Sequence, residues 1–437
     1  MDASDQVEGL ETIFALSSGQ PPCAIAVIRL SGPGAFTAAE RLTGMALPEP
    51  RRAVLRRFRC PDSSEVIDEG LVLRMDADSS ITGEPLVELH CHGSRAVVRD
   101  LESVLRGSLG LRPAEAGEFT RRAFMNGRLD LGSVEGLGDL LAAETTLQRQ
   151  TALAMMGGRL GQQIAEWSRA LTTLAAQVEA RLDFSDEGDV TAGDLLGVAA
   201  ACTEIATAMR TTLDRPLAHR LRDGIRVAIG GPPNAGKSTL FNAMIGREAA
   251  IVSPHAGTTR DVIEASVAIG GIPFVIADSA GLRETVDEVE RVGVDRATAL
   301  IEGADIILWL GDPADRPSVS GRIIQLHPKA DLGVAQLLPD EMAISARTGQ
   351  GMDQLIDTLR KIGADLVPRP GDYALSLRQH ACLSRAENAI LEASAQADEI
   401  LVAENLRQAL SALDELTGRV TTEAVLDEVF SGFCIGK

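Results

Sequence analysis

The sequence predicts a multidomain α/β-plus-α protein: an N-terminal α+β domain, a helical domain discontinuous in sequence, and a P-loop α/β domain inserted into the helical one. Three observations carry that prediction. At 437 residues the chain has the length of about three domains. Its texture changes along its length, from short β-rich runs to apolar stripes at helical spacing, then to strands alternating with helices, and back to helical stripes. Aromatic residues make up only 3% of a chain that is 45% hydrophobic. Its cores must therefore come from Ala, Leu, Val and Ile, which suits packed helices and buried parallel strands better than an all-β sandwich.

Residues 1–122 form the first segment. Ala24-Ile25-Ala26-Val27-Ile28, Gly70-Leu71-Val72-Leu73 and Leu86-Val87-Glu88-Leu89 read as short strands between Gly/Pro turns, with one helix near 95–106. Residues 123–220 are helical. There Leu160, Ile164, Trp167, Leu171, Leu174, Val178 and Leu182 recur every three or four positions, one apolar face of a long helix. Residues 221–368 alternate strands with helices, which predicts a parallel sheet covered by helices on both faces. Residues 369–437 return to helical spacing through Leu406, Leu410, Leu413, Val425, Leu426 and Val429.

Charge and cysteine usage narrow the function classes. Lys plus Arg number 42 and Asp plus Glu 62, a net charge of −20, so the chain does not coat nucleic acid by charge alone. Residues 1–122 are nearly balanced, with 14 basic against 18 acidic side chains, and most of the excess lies downstream. Arg51, Arg52, Arg56, Arg57 and Arg59 cluster within nine residues, either a contact for nucleic-acid phosphates or a solvated strand face. The six cysteines are dispersed with no C-x-x-C pair, which argues against a zinc ribbon, a thioredoxin-type site or a disulfide framework. His90-Cys91-His92 puts two imidazoles on one strand face without a third ligand, and packing is the favoured reading. The acidic N-terminus and the lack of about 18 consecutive apolar residues predict a cytoplasmic protein without a signal peptide or membrane span.

The most informative segment begins at the strand Ile225-Arg226-Val227-Ala228-Ile229. It runs into Gly231-Pro232-Pro233-Asn234-Ala235-Gly236-Lys237-Ser238, a G-x-x-x-x-G-K-[ST] match, and then into a helix from Thr239 to Ile245. Glycines let backbone N–H groups approach a polyphosphate, and the helix N-terminus adds positive partial charge. Lys237 would reach the β- and γ-phosphates and Ser238 would ligate Mg2+. Asp278-Ser279-Ala280-Gly281 follows the strand Phe274-Val275-Ile276-Ala277 as D-x-x-G; Asp278 would hold Mg2+ through water and the Gly281 N–H would sense the γ-phosphate. Gly257-Thr258-Thr259-Arg260-Asp261 sits where a switch loop completes the metal shell. Lys329-Ala330-Asp331 and Ser345-Ala346-Arg347 follow later, and Asp331 can pair with the guanine N1–H and 2-amino group, which adenine lacks. The order of these motifs specifies a GTPase.

Two departures shape its mechanism. Leu282 stands where Ras-type proteins place the glutamine that orients the attacking water, so another group must do so, with Glu284, Asp287, Glu288 and Glu290 as candidates. Pro328 replaces the asparagine of N-K-x-D. Proline has neither an amide side chain nor a backbone N–H, which predicts weaker nucleotide binding or relaxed guanine selectivity.

With the terminal Phe433-Cys434-Ile435-Gly436-Lys437 and the Gly257–Asp261 loop, the whole chain resembles the MnmE (TrmE) family of tRNA-modification GTPases. The resemblance implies a K+ site at Asn234, the carbonyls of Ser253 and His255, and Thr258, in a loop that continues through Pro254 and Ala256 and is completed when two G domains dimerise. It makes Thr259 a Mg2+ ligand and Glu290 the residue that orients water. It also implies a 5-formyl- or methylene-tetrahydrofolate site at Arg29, Glu88, Arg128 and Lys437 in an N-terminal folate-binding and dimerisation domain. The implied partners are GTP and GDP, tRNA, a second copy of the chain, and the FAD-carrying flavoprotein MnmG in a heterotetramer. The implied activity is modification of C5 of the wobble uridine (U34) by a carboxymethylaminomethyl or aminomethyl group. Cys434 reads either as packing or as a functional thiol. A ribosome-assembly GTPase and a folate one-carbon transferase with a weakened G domain remain as alternatives at this stage.

Overall fold

The computed structural model describes residues 11–183, 195–247, 249–250, 263–278, 298–333, 338, 341–420 and 422–436. They divide into two compact units, Met1–Gly138 with Thr417–Lys437, and Asp139–Leu416.

The first unit is built on a six-stranded sheet. Its strands are β1 (Ile13–Leu16), β2 (Ile25–Ser31), β3 (Val54–Arg59), β4 (Val66–Met75), β5 (Leu86–His92) and β6 (Arg112–Pro113). They lie in the order β3-β4-β5-β2-β1-β6, antiparallel except for β1 with β6. One face is dry: Ile28, Leu30, Phe58, Val72 and Leu89 pack against the apolar sides of the helices Ala35–Thr43 and Arg95–Gly107. The second helix begins where the Ser94 hydroxyl accepts the Val97 N–H at 3.2 Å, an N-cap. On the other face Ile25, Leu55 and Leu71 are 60%, 57% and 40% exposed. The helix Glu423–Ser431 joins this unit through Leu426, Phe430 and Phe433, which pack with Leu131 and Val134. Beyond it Ile435 bridges Ala116.

The second unit holds a helical core and an α/β core. The helix Arg159–Asp183 buries Leu160, Ile164, Trp167, Leu171, Leu174 and Val178, the predicted stripe, with Leu182 only partly covered. The helices Leu195–Leu213, Leu377–Ala395 and Glu399–Thr417 complete that core. The α/β part is a seven-stranded sheet: β7 (Ile225–Gly230), β8 (Ala249–Ala250), β9 (Ile263–Ile269), β10 (Ile272–Asp278), β11 (Ile306–Trp309), β12 (Arg322–His327) and β13 (Glu341–Ala343). Their order is β13-β12-β11-β7-β10-β9-β8.

Here the expectation of a parallel sheet is corrected in part. β10, β7, β11, β12 and β13 are parallel neighbours, but β9 runs antiparallel to β10, and β8 to β9. Gly270 and Gly271 connect β9 to β10 with φ of 60° and 80°, positive at both central positions as a type I′ hairpin turn requires. Two residues leave no room for a crossover helix. The multidomain α/β-plus-α architecture is otherwise as predicted. Among the described residues no helix is long and apolar enough to cross a membrane.

Candidate functional site

The parallel order places the ends of β7 and β10 side by side, and the nucleotide motifs grow from those ends. After β7 the chain turns through Gly231 (φ 141°), Asn234 (φ 60°) and Gly236 (φ 101°) before the helix Lys237–Arg247. Asparagine is among the few residues with a Cβ that adopt the left-handed region readily. A Cβ at Gly231 would stand 3.1 Å from the Gly311 nitrogen, so glycine is also the residue that lets this loop close. The Lys237 side chain folds back over its own loop and donates to the carbonyls of Gly231 at 2.8 Å and Pro232 at 2.9 Å. Those are the bonds an ammonium would exchange for phosphate oxygens.

Ser238 is the first-turn hydroxyl of that helix and donates to Asp278 Oδ2 at 2.6 Å, with Asp278 itself buried at the end of β10. A hydroxyl oxygen and a carboxylate held together are hard donors of the kind Mg2+ takes with waters and phosphates, so this pair fits the metal the motifs imply. Ser253, Pro254, His255, Ala256, Gly257, Thr258, Thr259, Ser279, Ala280, Gly281 and Glu290 lie outside the described residues, as do Leu282, Glu284, Asp287 and Glu288.

The base-reading segment is built at the ends of β12 and β13. Lys329 is left-handed (φ 61°), and its ammonium donates to the Asn234 carbonyl at 3.2 Å, tying this segment to the phosphate loop although Pro328 has no amide. The Ala330 N–H donates to Ile344 O at 3.0 Å, which sets Asp331 facing Ser345 and Arg347. The Ser345 hydroxyl donates to Asp331 Oδ1 at 2.6 Å, and Arg347 donates to Oδ2 from Nε at 3.2 Å and also from Nη2. Hydrogen bonds from Ser345 and then Arg347 hold the Asp331 carboxyl below the usual carboxylate range. The anion is thus fixed ready to accept. Ala346 sits between these two side chains in sequence.

In the first unit the sheet register brings two distant residues together. Arg29 on β2 lies opposite Glu88 on β5 and donates to Glu88 Oε1 from Nη2 at 2.8 Å and from Nε at 3.1 Å. Both side chains are largely buried, and the guanidinium lies 5.7 Å from the Phe119 ring centroid. Arg128 is placed differently: its Nη2 donates to Ala77 O at 2.7 Å. Lys437 lies outside the described residues. His90 contacts Glu88 at 3.3 Å and His92 contacts Asp68 at 2.8 Å. Cys91 points into the core, where burial pushes its thiol up to about 11. Cys434 is exposed on the segment between Phe433 and Ile435. In the arginine-rich run, Arg57 pairs with Glu69 at 2.7 Å, and Arg59 donates to Ser64 O at 3.4 Å.

Sequence reasoning missed a buried charged group in the same unit. Arg122 donates to Glu84 Oε2 and Glu118 Oε1, each at 3.0 Å, and to Glu11 O at 2.9 Å, while Ser31 donates to Glu84 Oε2 at 2.8 Å. The i,i+4 spacing of Glu118 and Arg122 is visible along the chain, but Glu84, Ser31 and the Glu11 carbonyl join the group only through the fold.

A family model described as the MnmE helical domain matches residues 131–434, and one described as GTP-binding protein TrmE N-terminus matches residues 12–128. The chain is 51% identical to the tRNA modification GTPase MnmE of Erythrobacter litoralis over 98% of this chain and 100% of that one. It is 50% identical to the tRNA modification GTPase MnmE of Rhizorhabdus wittichii over 100% of this chain and 99% of the relative. A crystal structure of Aquifex aeolicus Era bound to GDP and AlF4− covers 38% of this chain and 66% of its own at 30% identity, with a TM-score of 0.26.

Proposed function

The chain belongs to the MnmE family of tRNA modification GTPases and is a GTP hydrolase that uses Mg2+, and on that footing we propose that its turnover is stimulated by K+ and drives modification at C5 of the wobble uridine of certain tRNAs. The observation that carries this reading is the meeting of Lys237, Ser238 and Asp278 at the ends of two adjacent parallel strands. In this reading Lys237 holds the β- and γ-phosphates, and Ser238, Asp278 and Thr259 hold the metal. Mg2+ supplies charge neutralisation between the phosphates. Glu290 orients the attacking water, the role that Leu282 is unable to fill. Asn234 offers a neutral oxygen for K+, joined by Ser253, His255 and Thr258. Asp331 selects guanine, with Ser345, Ala346 and Arg347 around the base.

Arg29 and Glu88, with Arg128 and Lys437, hold a reduced folate whose one-carbon unit enters the modification. Support for this comes from the ion pair, which presents both signs of charge in a partly dry setting, suited to a pterin and to glutamate carboxylates. The chain acts as a homodimer, with the exposed Ile25, Leu55 and Leu71 on the open sheet face as a surface that gains from burial. Its further partners are tRNA and the FAD-carrying flavoprotein MnmG, in the cytoplasm.

The test is steady-state hydrolysis of GTP and ATP in KCl and in NaCl at matched ionic strength. Faster GTP turnover in K+ is expected, with little hydrolysis of ATP. Equal GTP rates in both salts would remove K+ from the site.

A further inference from the structure

The guanine-reading carboxylate is not free in this structure. An Asp side chain must offer one lone pair to the base N1–H and another, on its second oxygen, to the 2-amino group. Here Oδ1 accepts the neutral Ser345 hydroxyl at 2.6 Å. Oδ2 accepts two N–H groups of the same guanidinium, Nε and Nη2 of Arg347, and both its lone pairs are engaged. Arg347 thus stands on the second half of the edge a guanine needs.

We propose that Arg347 is a gate on the base site, a residue that sets nucleotide affinity by competing with the guanine 2-amino group for Asp331 Oδ2. The inference rests on the reading of Asp331 as the guanine selector. Three further features favour it. Asp331 is 12% exposed while Arg347 is 74% exposed, so the guanidinium can swing into water at little cost and the carboxylate stays where it is. Ser345 keeps the carboxylate oriented on Oδ1 after Arg347 leaves. Pro328 offers no side-chain amide to the purine, so the base depends more heavily on the two Asp331 oxygens and a competitor for one of them weighs more. Lys329 does not compete, because its ammonium is turned to Asn234.

An exposed ion pair of this kind is a weak latch, and its release shifts binding by about threefold, sensitive to salt. The experiment is equilibrium binding of GDP to the full chain and to Arg347→Met, which keeps the apolar stem and removes every donor. The variant should bind GDP about threefold more tightly at low ionic strength. The ratio between the two proteins should close at about 1 M salt, where charges are screened within ~3 Å. Arg347→Lys, with one compact ammonium in place of the planar fork, should fall between them. A variant that binds GDP equally or more weakly, or a ratio indifferent to salt, overturns the gate. Asp331→Asn separates that failure from failure of the underlying reading. A carboxamide N–H suits the 2-carbonyl of xanthine, so this variant should lose GDP and gain xanthosine diphosphate. No such exchange would overturn the selector itself, and the gate with it.

Discussion

Arg122 is 6% exposed, with Glu84 at 8% and Glu118 at 13% beside it. A cation so placed answers two carboxylates in the dry interior; without it Glu118 keeps Arg112, while Glu84 is left with the neutral Ser31 hydroxyl. Replacing it by leucine fills the volume but leaves those charges behind. We expect Arg122→Leu to destabilise the first unit by about 3–5 kcal/mol, read as a lowered midpoint in urea denaturation. The pH dependence has a definite sign. Burial pushes the Glu118 carboxyl up, but hydrogen bonds from Arg112, the Glu115 backbone and Arg122 outweigh it and hold the group below its ordinary value. Its stabilising contribution is therefore complete above the ordinary carboxylate range and is lost as pH falls through the lowered value. Denaturation midpoints of the parent should fall on acidification through that window, and those of Arg122→Leu should fall less. At this scale the sequence is legible only where a motif names the residue. Lys237 and Ser238 could be singled out from a string of letters. Arg122 could not, because Glu84 lies 38 positions away and meets it only through the packing of a helix on a loop.

The elements divide along a similar line. Helix Arg159–Asp183 was readable because a 3.6-residue period depends on the chain's own geometry and needs no partner to be seen. The reversal between β9 and β10 went unread because alternation of strand and helix was extended to a place with no helix. The signal was present nonetheless in the pair Gly270-Gly271 between two isoleucines. That pair now carries a prediction. A side chain at Gly270 would be forced into the left-handed region at φ 60° and would place its Cβ 2.8 Å from Arg360 Cδ. Gly270→Ala is expected to cost about 1–2 kcal/mol, seen as earlier thermal unfolding of the α/β part. Gly271→Ala meets nothing within 4 Å and should cost only the backbone share. The nucleotide segment was legible as strand, loop and helix because each piece signals locally. The arrest of Asp331 by Arg347 was not, since it depends on how the ends of two strands face one another.

For the molecule as a whole, the chemistry sits in a domain that interrupts another. If GTP turnover drives tRNA modification, removing the phosphate-loop ammonium should silence both without unfolding the chain. Lys237→Ala is expected to lower GTP hydrolysis at least 100-fold, on the scale of lost transition-state charge stabilisation, and to abolish wobble-uridine modification in cells that depend on this chain. Retained modification with a dead GTPase would instead favour one-carbon transfer independent of the nucleotide.

The return of residues 417–436 to the first unit also bears on how the protein is made. Phe430 and Phe433 fill the apolar cluster around Leu131 and Val134, and a Cβ at Gly436 would stand 2.2 Å from Leu16 O, so the last strip of chain seats against one of the earliest strands. During synthesis the stretch Asp139–Leu416 must first be translated, which at roughly 5–20 residues per second takes on the order of a quarter of a minute to a minute. For that interval the opening segment leaves the ribosome with a hydrophobic seat unfilled. It is then a client for chaperones, and a chain released early by a stalled ribosome would keep that seat exposed for a protease to find.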